Sequence, residues 1–166
     1  MDIRPFLTED AERIKQITVE TFTGVAIDFF IEQQFGRLGN GWQERKARSI
    51  DDDIRANPDG IFVAVEETGE ILGYITTRID QTSLLGWIPN IGVCTDRKGQ
   101  GIGMMLMQRA LAYLQQAGMT HAKIETLEPN HVGSQFYPQV GFEELVRQIH
   151  YVIRLPGDQE TSEHAV

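Results

Sequence analysis

From Ile91 to Gly118 the chain reads IGVCTDRKGQGIGMMLMQRALAYLQQAG, an apolar run that passes through a basic, glycine-rich turn into a helix. Gly99, Gly101 and Gly103 fall where a strand has ended and a helix is starting. The first N–H groups of a helix have no partner inside it, and they gather at the positive end of its dipole. Residues without side chains let an anion come close to those donors. Lys98, with Arg97 beside it, adds positive charge at the same corner. The chemistry suits a pyrophosphate, although a glycine-rich turn can also serve chain reversal alone. Spacing separates the phosphate-binding motifs. A P-loop requires Lys and then Ser or Thr after its second glycine, and here Gly103 is followed by Met104 and Met105. A dinucleotide fingerprint opening at Gly99 needs a third glycine where Met104 stands, and it belongs after the first strand of a βαβ unit. What remains is a basic or amide residue, two free positions, Gly, one free position and Gly, as in KGQGIG.

A second stretch, ETLEPNHVGSQFYPQVGFEEL, places Tyr137 seven positions after Asn130, with Gly141 and Phe142 four and five positions further on. Together with IGVCTDRKGQGIG, these spacings make the chain resemble the GNAT superfamily of N-acetyltransferases. The resemblance covers residues 61 to 155 well and the first helix loosely, whereas residues 24 to 57 carry no signature. It implies a single α/β (α+β) domain over residues 1–155, with a mixed, mostly antiparallel twisted sheet flanked by helices and split at a β-bulge in its fourth strand. It implies acetyl-CoA as cosubstrate, no metal, and transfer of the acetyl group to a primary amine of a small molecule, peptide or protein by direct attack in a ternary complex. The pantetheine arm would lie beside Ile91, Gly92 and Val93 like an added strand. The pyrophosphate would rest on the amides of Lys98, Gly99, Gln100, Gly101, Ile102, Gly103 and Met104. Asn130 would bond the pantetheine, and Tyr137 would face the thioester sulfur.

Those roles make chemical sense. A strand amide near Val93, left free by the bulge, could receive the oxyanion. A phenol with a reference pKa of about 10 can protonate a thiolate whose conjugate acid sits near 8 to 9. Three departures from the family pattern matter. Lys98 stands where Gln or Arg is usual, which keeps charge and loses a planar fork. Pro138 follows Tyr137 and biases its backbone away from the helical region. The fourth strand, WIPNIGV, has no carboxylate to act as base. Glu125, twelve residues before Tyr137, resembles the Glu at that spacing in ribosomal-protein and N-terminal acetyltransferases; it reads equally as a structural carboxylate. Asp80 is a weaker candidate base. A reading from another class is a noncatalytic acyl-CoA-binding or protein-interaction module with the same fold.

The elements that must position these residues follow from periodicity. DIRPF is an extended start, and Thr8 opens a helix with Glu9 and Asp10 in its first turn. Residues 24 to 57 read as two helices joined at the breaker cluster GRLGNG. IFVAVEETGEILGYITTRID is a hairpin turning at Thr68 and Gly69. In WIPNIGVCT, Pro89 and Gly92 mark an edge or a bulge. Met104, Met107, Ala110, Leu111 and Leu114 share a stripe of the next helix, Met104, Met105 and Met107 are most simply core, and Gly118 is the stop. AKIETL is a strand, residues 131 to 140 a short helix or turn, and FEELVRQIHYVIRL one bent strand or two. The expected order is βααββαβαβ(β). The polar tail over residues 156–166 is expected to be disordered.

A chain of 166 residues with 41% apolar content supports one cored domain. Its net charge of −9 disfavours nucleic acid and anionic lipid as partners. With no run of about 20 apolar residues and no signal-peptide layout at its start, the sequence reads as soluble and cytoplasmic. The single cysteine, Cys94, agrees with a reducing compartment and reads as a packing residue. His121, His131 and His150 lack metal-ligand spacing. The aspartates at 51 to 53 read as a solvated helix start, and Trp87 either lines or fills the acceptor cleft. The resemblance allows a homodimer, since many relatives pair through edge strands or helices.

Overall fold

The computed structural model describes residues 1–157, so residues 158–166 of the expected disordered tail lie outside the described residues. Uninterrupted apolar runs, buried on both faces, make the hairpin strands β2 (Phe62–Val65) and β3 (Ile71–Ile75) the centre of the sheet. Phe62 and Ala64 face one core with Leu106, Met107 and Ala110; Val63 faces another with Ile14, Ile17 and Ile50. The first core lies under α4 (Ile102–Gln116) and the second under α1 (Ala11–Phe22) and α3 (Trp42–Ala56), while α2 (Ile27–Phe35) packs on α3. This is the layered α/β architecture expected, with helices on both sheet faces.

Strand β1 (Asp2–Pro5) pairs antiparallel with β2, β2 with β3, and β3 with β6 (Ile91–Val93). Beyond an interruption, β4 (Arg78–Asp80) pairs antiparallel with β5 (Leu85–Ile88), and β5 pairs parallel with β7 (His121–Ile124). Strands β3 and β4 are one run broken at Thr76–Thr77, and β5 and β6 are one run broken at Pro89–Asn90. Proline has no N–H to give to a ladder, so the break falls where the sequence places it.

A carboxylate from α3 replaces the lost ladder bonds. Asp53 is fully buried, and its oxygens accept from Thr76 Oγ1 (2.7 Å), Asn90 Nδ2 (2.7 Å) and Arg78 Nε and Nη2 (2.9 and 2.7 Å). The solvated helix start expected at residues 51 to 53 is therefore corrected. These residues lie in the later turns of α3, where Asp51 pairs with Lys15, Asp52 with Arg55, and Asp53 turns inward.

Other expectations also change. Thr8–Asp10 form a single 3₁₀ turn before α1. The buried Asp10 carboxylate binds Arg4 and the Leu7 amide, tying β1 to the helix entry. Three helices precede the hairpin, as the helix at Thr8 and the two read over residues 24 to 57 require, whereas the summary order βααββαβαβ(β) counted two. Of the methionines assigned to the core, Met107 is buried, Met104 is half-buried and Met105 is exposed, because the buried stripe of α4 runs through Ile102, Leu106, Met107, Ala110 and Leu114. After α5 (His131–Val140), residues 142–155 form no strand among the described residues. Gly118 closes α4 at φ +87°, as the spacing predicts.

Asp53→Ala leaves Arg78, Asn90 and Thr76 without their shared acceptor, and the variant should lose about 3–5 kcal/mol of stability, the range for breaking a buried ion pair. Urea unfolding measures it, with Asp52→Ala, on the exposed side of α3, as a control expected to change stability by less than about 0.5 kcal/mol.

Candidate active site

The break in the sheet leaves one edge of β6 open. Toward β3, the Cys94 amide donates to the Leu72 carbonyl (2.8 Å) and the Thr76 amide to the Asn90 carbonyl (2.9 Å). Hydrogen-bonded and non-bonded positions alternate in an antiparallel pair, so Asn90, Gly92 and Cys94 point their backbone groups at β3. Ile91 and Val93 then point theirs the other way. The β5–β7 ladder ends at Ile88 and Ile124, which leaves that side of β6 unpaired among the described residues. Gly92 turns its α-carbon against Tyr74, Thr21 and Ile17, where a Cβ would lie 2.9 to 3.3 Å from their side chains, so α1 sits directly behind this strand.

The chain then makes a short 3₁₀ turn, Thr95–Arg97, and enters the glycine loop. Gly99 and Gly101 have φ of +78° and +80°, left-handed values that side chains disfavour, and Gly101 caps α4 without any side-chain bond. The Met105 amide is the first of α4 to find a carbonyl, that of Gly101 (3.1 Å). The seven amides from Lys98 to Met104 have no hydrogen-bond partner among the described residues. The charge at this corner is smaller than the sequence suggested. Arg97 is drawn to Glu66 (3.4 Å) and to Glu70 and Asp96 (both 3.7 Å), whereas Lys98 is exposed and makes no ion pair among the described residues.

Helix α5 completes the cluster. A Cβ at Gly103 would lie 3.7 Å from the Phe136 ring and 3.9 Å from Val93 Cγ2, so the start of α4, strand β6 and α5 meet at one point. Asn130 is the N-cap of α5: its Oδ1 accepts from the Gly133 amide (3.1 Å) and its Nδ2 donates to Thr126 Oγ1 (2.9 Å). Gly133 was absent from the sequence reading. A Cβ there would come within 2.6 Å of Asn130 Nδ2 and 3.0 Å of the Tyr137 ring, so only glycine lets the cap and the phenol ring stack in one turn. Tyr137 packs edge-on against Phe136 and Phe142, and burial pushes its phenol up to about 12. Pro138 is accommodated inside α5.

The carboxylates sit further out. Glu125 is exposed just past the end of β7 and is paired with Lys123 (2.7 Å). Asp80 binds Ser83 Oγ (2.6 Å) and the Thr82 amide (2.9 Å), bonds that hold it below the usual carboxylate range and make it a turn cap. On the sheet face opposite α4, Trp87 is flanked by the Arg78 guanidinium at 5.0 Å and the Lys123 ammonium at 4.8 Å, and its buried Nε1–H has no partner among the described residues. Lys46, also missed in the sequence, reaches the bulge from α3. Its Nζ donates to Asn90 Oδ1 (2.7 Å) and lies 3.9 Å from the Phe22 ring centre, and burial lowers its pKa to about 8. Cys94 is buried, its thiol pushed up by burial despite nearby Arg13, which fits a packing role. Among the described residues no three His, Cys, Asp or Glu side chains gather as a metal site, and no helix is long and apolar enough to cross a membrane.

Comparison with known proteins places this geometry. The sequence pattern of the acetyltransferase (GNAT) family matches residues 12–142. A mycothiol acetyltransferase of Thermobifida fusca is 33% identical over 95 residues, covering 52% of this chain and 29% of that protein. The chain spans less than half the length of the curated relatives it matches. A mutant of the BH1408 protein of Bacillus halodurans superposes with a TM-score of 0.74 at 16% identity, covering 93% of this chain and 100% of that one. The PaiA N-acetyltransferase of Thermoplasma acidophilum, solved in complex with coenzyme A, superposes with a TM-score of 0.67 at 20% identity, covering 86% of this chain and 89% of that one. At these identities the structures speak for the fold.

Lys46 gives a pH signature. Its folded pKa lies below the unfolded value, so the folded chain loses that proton first and stability rises with pH from about 8 toward 10.5. Above about 10 the raised Tyr74 and Tyr137 phenols act in the opposite sense, because the unfolded chain then ionises first. Lys46→Met should abolish the rise, so that between pH 7 and pH 10 the stability difference moves toward wild type by up to about 3 kcal/mol. Chemical denaturation at both pH values reads it.

Proposed function

Because the chain belongs to the GNAT family of acetyltransferases, we propose that it transfers an acetyl group from acetyl-CoA to a primary amine by direct attack within a ternary complex. The observation that carries this reading is two stretches of unpaired main-chain groups joined by one short turn. The first is Ile91 and Val93 on the open edge of β6, the second is the amides of residues 98–104, and the start of α4 meets α5 at Phe136, the residue before Tyr137. The edge of β6 suits the amide groups of a pantetheine arm added as a strand. The loop amides, the α4 dipole and Lys98 suit a diphosphate. Asn130, spent on capping, supports the site by fixing α5; its second amide hydrogen is the one that would reach the pantetheine.

Acetyl-CoA supplies an activated thioester carbonyl, and the protein supplies position and polarity. The free N–H of Val93 is fixed before the reaction, as an oxyanion donor must be. The phenol of Tyr137 is protonated at every physiological pH, so it is available as a donor to the departing sulfur. Burial that raises the phenol also raises a thiol in the same pocket, which keeps the two matched. The proton leaving the amine goes toward Glu125, exposed where β5 and β7 stop pairing, directly or through water. The acceptor enters from the face that carries Trp87. Identity to the mycothiol acetyltransferase covers about half of this chain, 52%, so the acceptor is not carried over with that name.

A noncatalytic acyl-CoA-binding module is the second reading, favoured by the exposure of Glu125 and its pairing with Lys123. Thiol release from acetyl-CoA with polyamines, aminoglycosides, amino acids and peptide N-termini separates the two. Turnover with at least one amine is expected; coenzyme A binding without turnover would favour the module, and failure to bind coenzyme A would remove both. Tyr137→Phe should lower kcat by about 10²- to 10³-fold with acetyl-CoA affinity changed less than about twofold. In the wild type, kcat should show no alkaline fall from phenol ionisation up to about pH 10.

A further inference from the structure

Lys46 is a half-buried cation that the fold leaves without a counter-charge. It reaches from α3 to the break in the sheet, where its Nζ donates to Asn90 Oδ1 (2.7 Å) and stands 3.9 Å from the centre of the Phe22 ring. Among the described residues it makes no ion pair. Lys15, Arg45 and Arg78, half-buried cations on the same side of the sheet, each hold a carboxylate, at 2.8, 3.0 and 2.7 Å. Asp28, a carboxylate near enough to favour the charge of Lys46, is itself bound with Glu32 to Arg45. Burial lowers the Lys46 ammonium to about 8, so at neutral pH it is still charged. A half-buried charge without a partner is destabilising, and an anion brought beside it relieves that.

The one hydrogen bond of Lys46 ties it to the strand break. Every polar group of Asn90 is used. Its backbone N–H donates to Thr76 Oγ1 (3.1 Å), its carbonyl accepts from the Thr76 amide (2.9 Å), and its Nδ2 donates to Asp53 (2.7 Å). Asp53, ion-paired with Arg78, can only accept, so the side-chain amide has one orientation, with Oδ1 toward Lys46. The single charge of Asp53 therefore faces two cations, Arg78 directly and Lys46 across the amide of Asn90. One positive charge is in excess at the break.

The excess lies where an acceptor would meet the thioester under the proposed function. Asn90 is followed by Ile91, whose α-carbon is about 3.8 Å away along the chain. The backbone groups of Ile91 face the open edge of β6. Arg78, joined to Asn90 through Asp53, stands 5.0 Å from the Trp87 ring. Lys46 thus continues the face that carries Trp87.

We propose that Lys46 binds the carboxylate of the acceptor, and that the acceptor is a free α-amino acid whose amine takes the acetyl group. The inference rests on the acetyl-transfer reading and narrows its substrate class. One carbon separates amine from carboxylate in such a molecule, so a carboxylate held at Lys46 keeps the amine close to Ile91. The cations Lys46 and Arg78 also disfavour a further positive charge beside them, which keeps more of the amine neutral and able to attack. The amine nitrogen bonds to the acetyl carbon as the C–S bond breaks. The amine gives up one proton, the departing thiolate takes one, and an N-acetyl amino acid and coenzyme A leave.

The products are probes that need no turnover. N-acetyl derivatives of the protein amino acids, each as the free acid and as its carboxamide, are titrated calorimetrically into the full chain saturated with coenzyme A. At least one acid should bind at least about tenfold more tightly than its amide, the scale of a hydrogen bond to a charged group. Lys46→Met should reduce that preference to within about threefold. In the wild type the preferred acid, and not its amide, should shift the side-chain resonance of Lys46 in carbon-labelled protein; an unmoved resonance overturns the proposal without any variant. A lysine that only props Asn90 would weaken acid and amide alike and leave the preference as it was, which also overturns it. So does a wild type that prefers no acid over its amide while other amines are acetylated, and the acetyl-transfer reading then stands alone. A chain that does not bind coenzyme A removes that reading and this inference with it.

Discussion

The sheet cannot pair straight through Pro89, and the site depends on that failure. A proline inside a long strand removes one donor and pushes the backbone out of register. Here the break is held open by Asp53, which gathers Thr76, Asn90 and Arg78 around a fully buried carboxylate. Such a cluster is an expensive way to finish a strand, because the carboxylate must be desolvated before its four bonds recover the cost. What it provides is geometry. With both runs kinked at the same level, β6 stays with β3 while β5 goes on to β7, and the backbone of Ile91 and Val93 faces open space between them.

The rest of the site follows from backbone polarity more than from charged side chains. The chain as a whole carries −9, and Arg97, the basic residue closest to the loop besides Lys98, is drawn outward by three carboxylates. An anion at the start of α4 would therefore be held by oriented amides and the helix dipole, with Lys98 as the charge of the loop that makes no ion pair among the described residues. Amides fixed by φ values of +78° and +80° need no reorganisation when a ligand arrives. The same economy appears in α5, where Asn130 and Gly133 make a first turn tight enough to set the direction of Tyr137 one turn later.

The parts of the molecule that were legible in sequence are those where one residue type has one local consequence. Gly101 at a helix start, Gly118 at a helix end, Pro89 in a strand and the Asn130 to Tyr137 spacing each constrain the backbone within a few residues. Asp53 was misread because its burial is decided by Thr76 and Asn90, twenty-three and thirty-seven residues away. Lys46 was missed for the same reason, its environment being made by Phe22 and Asn90. The stretch at 142–155 was misread for a related reason: its alternation predicts a strand, and none forms there among the described residues, because pattern reports what a segment can pair with and not whether it pairs.

The split also divides the domain into halves of unequal strength, and the site lies on the seam. On the β1–β2–β3–β6 side both faces are covered, by the cluster under α4 and by the cluster under α1 and α3. On the β4–β5–β7 side only the face toward α4 is covered; the other carries Trp87, Lys123 and His121, half-buried or exposed. Local opening free energy rises with the apolar contact a region makes, so the second half is the one that yields first. The phosphate loop belongs to the strong half through Ile102, which is buried in the core, while α5 and Glu125 hang from the weak half through residues 125–130. Under the proposed function, the loop that would hold the diphosphate and the phenol that would face the thioester thus stand on opposite sides of that seam.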